Sequence, residues 1–396
     1  MSAFETNLLS KLQADLQKNL ASRRSQGLYR QRLIIQGPQS VRVKVDGESL
    51  LSFCSNDYLG LANDDRLIKA WQQGADNFGV GAGASHLVTG HHQAHHELEL
   101  ALAEFMGTER ALLFSTGYMA NMAIASSLLG RHDAIFEDKL NHASLIDGAR
   151  LTRARLHRYP HNDTKKLATD LADCPDQKKL IMTDGVFSMD GDQADVRTLT
   201  NLATKASAYL LVDDAHGIGV LGEQGRGSLA AAGLKINANT LVMATLGKAF
   251  GVFGAFVAGS EAMIETLIQF GRSYIYTTAL PPAIATTLLA ALKIVREEQW
   301  RRDKLQDHIA RFRQGAKQLG LALGPSTTPI QPVMFGAAAS AVAASQKLRQ
   351  AGLLVTAIRP PTVPEGSARL RITFSADHEP QDIDQLLAAL ASVCKT

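Results

Sequence analysis

The chain has 396 residues, more than one hydrophobic core usually serves, so its length predicts a large domain and a smaller partner with a cleft between them. With 45% hydrophobic and 20% charged residues and no low-complexity run, the composition excludes a disordered protein. The 41 basic and 38 acidic side chains give a net charge of +3 and are scattered, which excludes the basic stripe that nucleic-acid binding requires.

The N-terminal stretch carries Leu8, Leu9, Leu12, Leu16 and Leu20 at helical spacing with polar residues between them, unlike the unbroken apolar core of a signal peptide. No later stretch is long and apolar enough to span a membrane. Cys54, Cys174 and Cys394 lie far apart without a CxxC pair, so neither a disulfide framework nor a zinc ribbon is expected. These features predict a cytoplasmic protein.

Val41 to Val45 alternates as a strand, turns at Asp46 and Gly47, and is followed by a second short strand at 50–53, a hairpin. From residue 54 short apolar runs alternate with helical stretches: ALLF at 111, AIFE at 134, LIMTDG at 180, YLLVDD at 209, TLVMA at 240 and GAFVAG at 254. Such runs are strands buried on both faces, which predicts an α/β fold with a mostly parallel sheet covered by helices. Ligands then bind at the strands' carboxyl ends. Pro281 and Pro282 precede a long helical segment, and strands follow at 333–335, 354–357 and 370–374. The expected division is an N-terminal helix and hairpin over 1–53, a large domain over 54–282 and a smaller α+β domain over 283–396.

The run TLVMATLGKAFG sets Thr245 and Lys248 just past a strand, among Gly247, Gly251 and Gly254. A nucleotide P-loop would need glycine where Val242 stands and Ser or Thr where Ala249 stands. A free lysine amine is almost wholly protonated at neutral pH, so a lysine that attacks carbonyls needs desolvation or capture as an imine. A glycine-rich turn at a sheet edge suits that chemistry. Upstream, YLLVDDAHG places Asp213 at a strand end and His216 three residues on. There a carboxylate can hold the ring nitrogen of pyridoxal phosphate protonated while the imidazole reaches the ring hydroxyl; the plainer reading of Asp213 is a helix cap. Gly217 to Gly222 matches GxGxxG, yet residues 224–260 contain no acid for a dinucleotide ribose.

Ser115, Thr116, Gly117 and Tyr118 open a helix after a strand, where N–H groups and the helix dipole bind phosphate. Asn141 and His142 follow another strand, and Ser188 follows LIMTDG. In HHQAHHELE, His91 faces His95 and His92 faces His96 at helical spacing; HExxH is absent and no second ligand cluster appears. The expectation is a solvated or subunit-facing helix and no metal. On the strand ARLRITF, Arg369, Arg371 and Thr373 share one face and Leu370, Ile372 and Phe374 the other. An arginine there can bind a substrate carboxylate; a solvated sheet edge is the competing explanation.

SNDYLGL at 55, NHASLIDG at 141, GVFSMDGD at 185, VDDAHGIGVLGEQGRG at 212, TLGKAFG at 245 and IRPPTVPEGSARLRIT at 358 together resemble the α-oxoamine synthases over nearly the whole chain. The resemblance implies a fold type I pyridoxal-phosphate enzyme, a homodimer with active sites at the subunit interface. It implies that Lys248 carries the cofactor as a Schiff base, that Asp213 pairs with the ring nitrogen, that His216 and Ser188 contact the ring hydroxyl side and that His142 stacks on the ring. Gly117, Tyr118 and Thr245 would surround the phosphate, and Thr277 and Thr278 the neighbouring subunit's phosphate. Arg30, Asn56, Arg359, Thr362 and Arg371 would meet the substrates, with Arg371 on the amino-acid carboxylate. DDAHG and IRPPTVP favour the biotin branch, in which L-alanine condenses with pimeloyl-CoA or pimeloyl-carrier protein. Sister activities with glycine or serine share the catalytic residues. The stretch 81–99 departs most from the pattern: Ala84 stands where glycine is common, and only His95 of the histidines matches.

Overall fold

The computed structural model describes residues 3–26, 28–175 and 178–394. Strands β1 (Ile35–Gln36), β2 (Arg42–Val45) and β3 (Glu48–Ser52) come first, followed by β4 (Arg110–Phe114), β5 (Ala134–Asp138), β6 (Arg155–Tyr159) and β7 (Lys179–Asp184). Then come β8 (Tyr209–Asp213), β9 (Thr240–Thr245), β10 (Ala255–Gly259), β11 (Ile330–Gly336), β12 (Leu353–Leu354), β13 (Thr356–Ile358) and β14 (Ala368–Thr373). Seven strands form the central sheet in the order β4-β10-β9-β8-β7-β5-β6. Strand alternation divides its side chains between two cores: Leu210, Val212, Val242 and Ala244 pack on one face, Leu211, Leu241 and Met243 on the other.

All six apolar runs are strands of the central sheet, which is parallel except for β10, antiparallel to both neighbours. The link from β9 to β10, residues 246–254, is too short for a crossover helix, so the chain must turn straight back. Leu246 N donates to Gly254 O (2.8 Å) and Val252 N to Leu246 O (3.1 Å) within this turn. Lys248 is thereby fixed at the carboxyl edge. Strand β6, RLHRY, had no sequence signal because it is an edge strand carrying charges.

Strand β12 pairs parallel with β3, so the predicted hairpin extends into a four-stranded sheet. Strands β11, β14 and β13 form a third, antiparallel sheet. The predicted strand at 354–357 is split between β12 and β13 and serves two sheets. β14 lies between two partners, which removes the solvated-edge explanation for ARLRITF. Leu370, Ile372 and Phe374 are fully buried on its apolar face. The helix Pro282–Glu297, with proline in its first turn, packs against the helix Asp65–Phe78; a Cβ on Gly74 would lie 2.8 Å from Ala283 Cα.

The N-terminal helix, Ala3–Ser25, exposes Leu12, Leu16 and Leu20; the side chains of Leu8 and Leu9 lie outside those described, as does that of Cys394. Among the described residues no helix is long and apolar enough to cross a membrane. The glycine tract after Gly217 is followed by a 3₁₀ turn and a four-residue helix, not by the long helix whose N-terminus a dinucleotide needs. Its glycines make room for Asp214: a Cβ on Gly217 would lie 2.1 Å from Asp214 Oδ1.

Gly251, one of the glycines beside Lys248, meets backbone. Its φ is +70°, and a Cβ would sit 2.5 Å from the Leu61 carbonyl carbon. Gly251→Ala should therefore lose about 2–4 kcal/mol of stability, from left-handed strain plus overpacking. Urea unfolding checks this.

Candidate active site

Seven chain segments, at 56–58, 121, 142–144, 184–188, 213–216, 248 and 371, deliver the groups gathered at the carboxyl edge of the central sheet. Strands β7 and β8 pair in register so that Asp184 stands beside Asp213, both buried. Asn121, from the helix Gly117–Leu128, donates through Nδ2 to Asp213 Oδ2 (2.7 Å) and approaches Ser144 Oγ (2.8 Å). Ala215 N donates to the other Asp213 oxygen (3.1 Å). His142 caps the helix Ala143–Thr152; its N–H donates to Asp184 Oδ2 (2.7 Å) and its Nδ1 lies 2.8 Å from Ser144 Oγ.

Lys248 faces these acids. Its Nζ is 2.8 Å from His216 Nε2, and His216 Nδ1 is 2.6 Å from the fully buried Tyr58 hydroxyl. Tyr58 also reaches Asn56 Oδ1 (3.2 Å), which accepts from Arg371 Nη2 (3.3 Å). Arg371 Nε donates to Ser188 O (2.7 Å). The folded chain thus gathers two hydrogen-bonded chains, His142 with Asp213 and Asp184 on one side and Lys248, His216, Asn56, Arg371 and Ser188 on the other, which meet through the charge of Lys248 felt against the two acids.

Burial sets the charges. Desolvation lowers the Lys248 ammonium to about 8, against the opposing pull of Asp213 and Asp184 and with some help from Arg371. Desolvation first, then the Lys248 and Arg371 charges, hold His216 well below its ordinary value, so its imidazole is neutral. Burial likewise lowers His142, with Asp213 opposing. Burial and then the adjacent Asp213 push Asp184 well up. Tyr58 is raised to about 12 by burial and stays a neutral hydroxyl.

The other candidates make no side-chain hydrogen bond to these residues, although the Tyr118 ring meets His142 edge-on with centroids 6.5 Å apart. Thr245 Oγ1 donates to Gly254 O (3.1 Å) and accepts from Gly247 N (3.3 Å), so its hydroxyl serves its own turn. Gly117 is the first residue of its helix, capped by Thr116. Tyr118 is 40% exposed and its hydroxyl meets Asp147. Thr278 is exposed and pairs with Ser85, and Thr277 is half-buried. Arg30 is exposed on the segment 28–34; Arg359 and Thr362 share one turn, Thr362 N donating to Arg359 O (3.1 Å).

The helix at the histidine cluster begins only at Gln93, with His92 as its cap and His91 before it; the His91 ring still meets that of His95, centroids 5.8 Å apart, and His96 N donates to His92 O (3.2 Å). The cluster is not wholly solvated. His95 is fully buried, accepting from His92 N (3.0 Å) and meeting Leu280 O through Nε2 (2.8 Å).

Sequence reasoning assigned no role to Tyr58, Asn121, Ser144 or Asp184. Signals existed for three: Tyr58 and Ser144 lie inside quoted motifs, and Asp184 ends its strand as Asp213 does. Asn121 was visible only as a polar residue in an apolar helix.

The residues fit pyridoxal phosphate. They supply an amine of lowered basicity, a buried carboxylate on the neighbouring strand, two neutral imidazoles and a helix N-terminus whose first N–H groups lack intrahelical partners. Asn121 Oδ1, buried beside Asp213, has no hydrogen-bond partner among the described residues.

Residues 48–390 match the family described as aminotransferase class I and II. Among curated relatives, the 8-amino-7-oxononanoate synthase of Saccharophagus degradans is 55% identical over 97% of each chain. That of Nitrosococcus oceani is 56% identical over 94% of this chain and 99% of its own. Among solved structures, a serine palmitoyltransferase from S. paucimobilis superposes with a TM-score of 0.91 at 30% identity over 98% of each chain. An 8-amino-7-oxononanoate synthase from Francisella tularensis gives 0.77 at 35% identity over 87% of this chain and 98% of its own. The chain belongs to the class I and II aminotransferase family as a fold type I pyridoxal-phosphate enzyme, in the branch formed by the 8-amino-7-oxononanoate synthases. The expected likeness to the α-oxoamine synthases is borne out.

In cofactor-free protein, Lys248 should react with an amine-directed acylating reagent along a curve centred near pH 8. An ordinary lysine would be only about 0.3% neutral at that pH. Peptide mapping of the labelled lysine across pH 6–11 measures it. Tyr58→Phe leaves His216 Nδ1 buried without its partner; the expected loss in kcat/KM is about 5- to 150-fold, corresponding to about 1–3 kcal/mol. Steady-state kinetics of that variant provide the check.

Proposed function

We propose that the protein condenses L-alanine with a pimeloyl thioester, on coenzyme A or a carrier protein, to give 8-amino-7-oxononanoate, the free thiol and carbon dioxide in biotin biosynthesis. The observation that carries this reading is the convergence of Lys248, Asp213, His216 and Arg371, in a chain 55–56% identical to enzymes bearing that product's name.

In this reading Lys248 holds the cofactor, Asp213 its ring nitrogen, His216 and Ser188 the side of the ring hydroxyl, and His142 a ring face. Gly117, Tyr118 and Thr245 take the phosphate, joined by Thr277 and Thr278 of the neighbouring subunit. When bound, pyridoxal phosphate supplies an electron sink for charge at the amino acid's Cα. Arg371, oriented by Ser188 O and Asn56, binds the alanine carboxylate, worth about 1.5–3 kcal/mol per charge-assisted bond. Arg30, Arg359 and Thr362 serve the acyl substrate. Freed when alanine's amine takes its place on the cofactor, the neutral Lys248 amine would take the Cα proton and hold it, with the neutral His216 Nε2, 2.8 Å away, accepting a hydrogen bond from the resulting ammonium. A bond then forms between that Cα and the thioester carbonyl while the thiol leaves. The bond to alanine's carboxylate breaks, carbon dioxide departs, and Lys248 returns a proton to Cα.

A homodimer with the sites at its interface accords with the exposed apolar side chains of Tyr118, Phe253 and Tyr276 beside the site residues and with the leucine stripe of the N-terminal helix. We read 1–53, 54–282 and 283–396 as an N-terminal segment, a cofactor-binding domain and a smaller domain, each with its own sheet, β12 tying the last to the first. The free thiol of Cys54 suits a reducing cytoplasm.

Thiol release assayed with alanine or glycine against pimeloyl-, acetyl- and palmitoyl-CoA should be fastest for alanine with pimeloyl-CoA. Lys248→Ala should show no release. A preference for glycine with acetyl-CoA would overturn the substrate assignment, and turnover by Lys248→Ala the role of the lysine.

A further inference from the structure

We propose that His91, His96 and Glu99 form a binding site for one divalent transition-metal ion of the zinc class, with His86 as the supporting group behind His91. The site lies outside the catalytic network. The linear pattern predicts no metal because HExxH is absent and no second ligand group appears. Folding changes the count. The five-residue π-turn His86–Gly90 folds the chain back before the helix Gln93–Met106, which sets His91 over the helix's outer face and His86 behind it.

The candidate ligand atoms of His91, His96 and Glu99 all lie within 4.8 Å of one another, and His91 Nε2 is 4.0 Å from Glu99 Oε2. A tetrahedral zinc ion with bonds of about 2.0–2.2 Å holds its ligand atoms about 3.3 Å apart, so closure needs small side-chain rotations. His91 and His96 are exposed and can make them. Glu99 is the fixed point: buried, with Oε1 accepting from Leu113 N (3.0 Å) and Oε2 turned toward His91.

The supporting contacts are those a metal site requires. A histidine that binds through Nε2 carries its proton on Nδ1 and donates it to an acceptor that fixes the ring. His91 Nδ1 is 3.0 Å from His86 Nδ1, and the buried His86 ring stacks on Tyr274 with centroids 5.1 Å apart. Leu113 N orients the carboxylate in the same way. The alternative trio of His86, His91 and His95 is unsuited, because both ring nitrogens of His95 are already engaged.

The nearby Arg110 guanidinium is turned toward other acids, 3.7 Å from Glu261 and 3.6 Å from Glu265. Two imidazoles and one carboxylate select zinc or its neighbours over magnesium or calcium, and three protein ligands leave a coordination position open. A bound ion would fasten the segment 84–92 to the helix. That segment also pairs with Thr278 through Ser85, and Ala279 N donates to Ala84 O (3.0 Å), so occupancy stiffens the chain beside Thr277 and Thr278.

The test titrates chelator-treated holoenzyme with zinc against a chromophoric competitor. One equivalent per chain is expected, with affinity falling at least about 10-fold in His96→Ala and in His91→Ala and staying unchanged in His132→Ala. Cobalt should give a tetrahedral absorption band that is lost in Glu99→Gln. Absence of stoichiometric zinc binding, or wild-type affinity in both His91→Ala and His96→Ala, would overturn the proposal.

Discussion

Two carboxylates standing side by side with almost no water constrain everything else at this site. Asp184 and Asp213 end adjacent parallel strands in register, so the sheet itself enforces their proximity. Like charges in a desolvated pocket repel strongly, and burial with that repulsion raises Asp184. The pair is tolerable because donors converge on it: His142 N on Asp184, and Asn121 and Ala215 N on Asp213. Lys248 supplies the positive charge opposite. The same burial that makes the acids costly makes the lysine less basic, so one dry pocket sets both sides of the chemistry.

The segment 53–62 is the mechanical link between that pocket and the C-terminal sheet. Thr373 N donates to Phe53 O (2.8 Å), Ala376 N to Tyr58 O (2.8 Å) and Ser375 Oγ to Asp57 O (2.6 Å). Arg301 Nη1 holds Leu59 O (2.7 Å) from a third direction. Tyr58 and Asn56 are thereby fixed where β14 delivers Arg371, and the chain of contacts runs from Arg371 through Asn56, Tyr58 and His216 to Lys248. A shift of β14 against the central sheet would disturb the environment of the lysine.

Much of this was legible in the linear chain. The six apolar runs became strands of the central sheet because strands buried on both faces must be apolar throughout, a requirement that leaves a plain trace. Lys248, Asp213 and His216 were legible because each follows such a run, and a strand's end is where ligands gather. The antiparallel course of β10 was inferable from the short 246–254 link. β6 was not, because an edge strand carries charges and has no apolar run to betray it. The histidine cluster was only partly legible because helical spacing was counted from His91, whereas the helix starts at Gln93.

The sequence by itself determined the fold class, the cofactor-bearing lysine as a candidate and the residue types at the strand ends, because these depend on local periodicity and on motifs contiguous in the chain. Only the tertiary structure decided the pairing of Asp184 with Asp213, the Tyr58–His216–Lys248 contacts and the convergence of His86, His91 and Glu99. Those depend on strand register, on a hairpin that bonds to a strand some three hundred residues away and on where a helix begins. Register and long-range packing are set by the summed burial of many side chains, and no single stretch of sequence carries that sum.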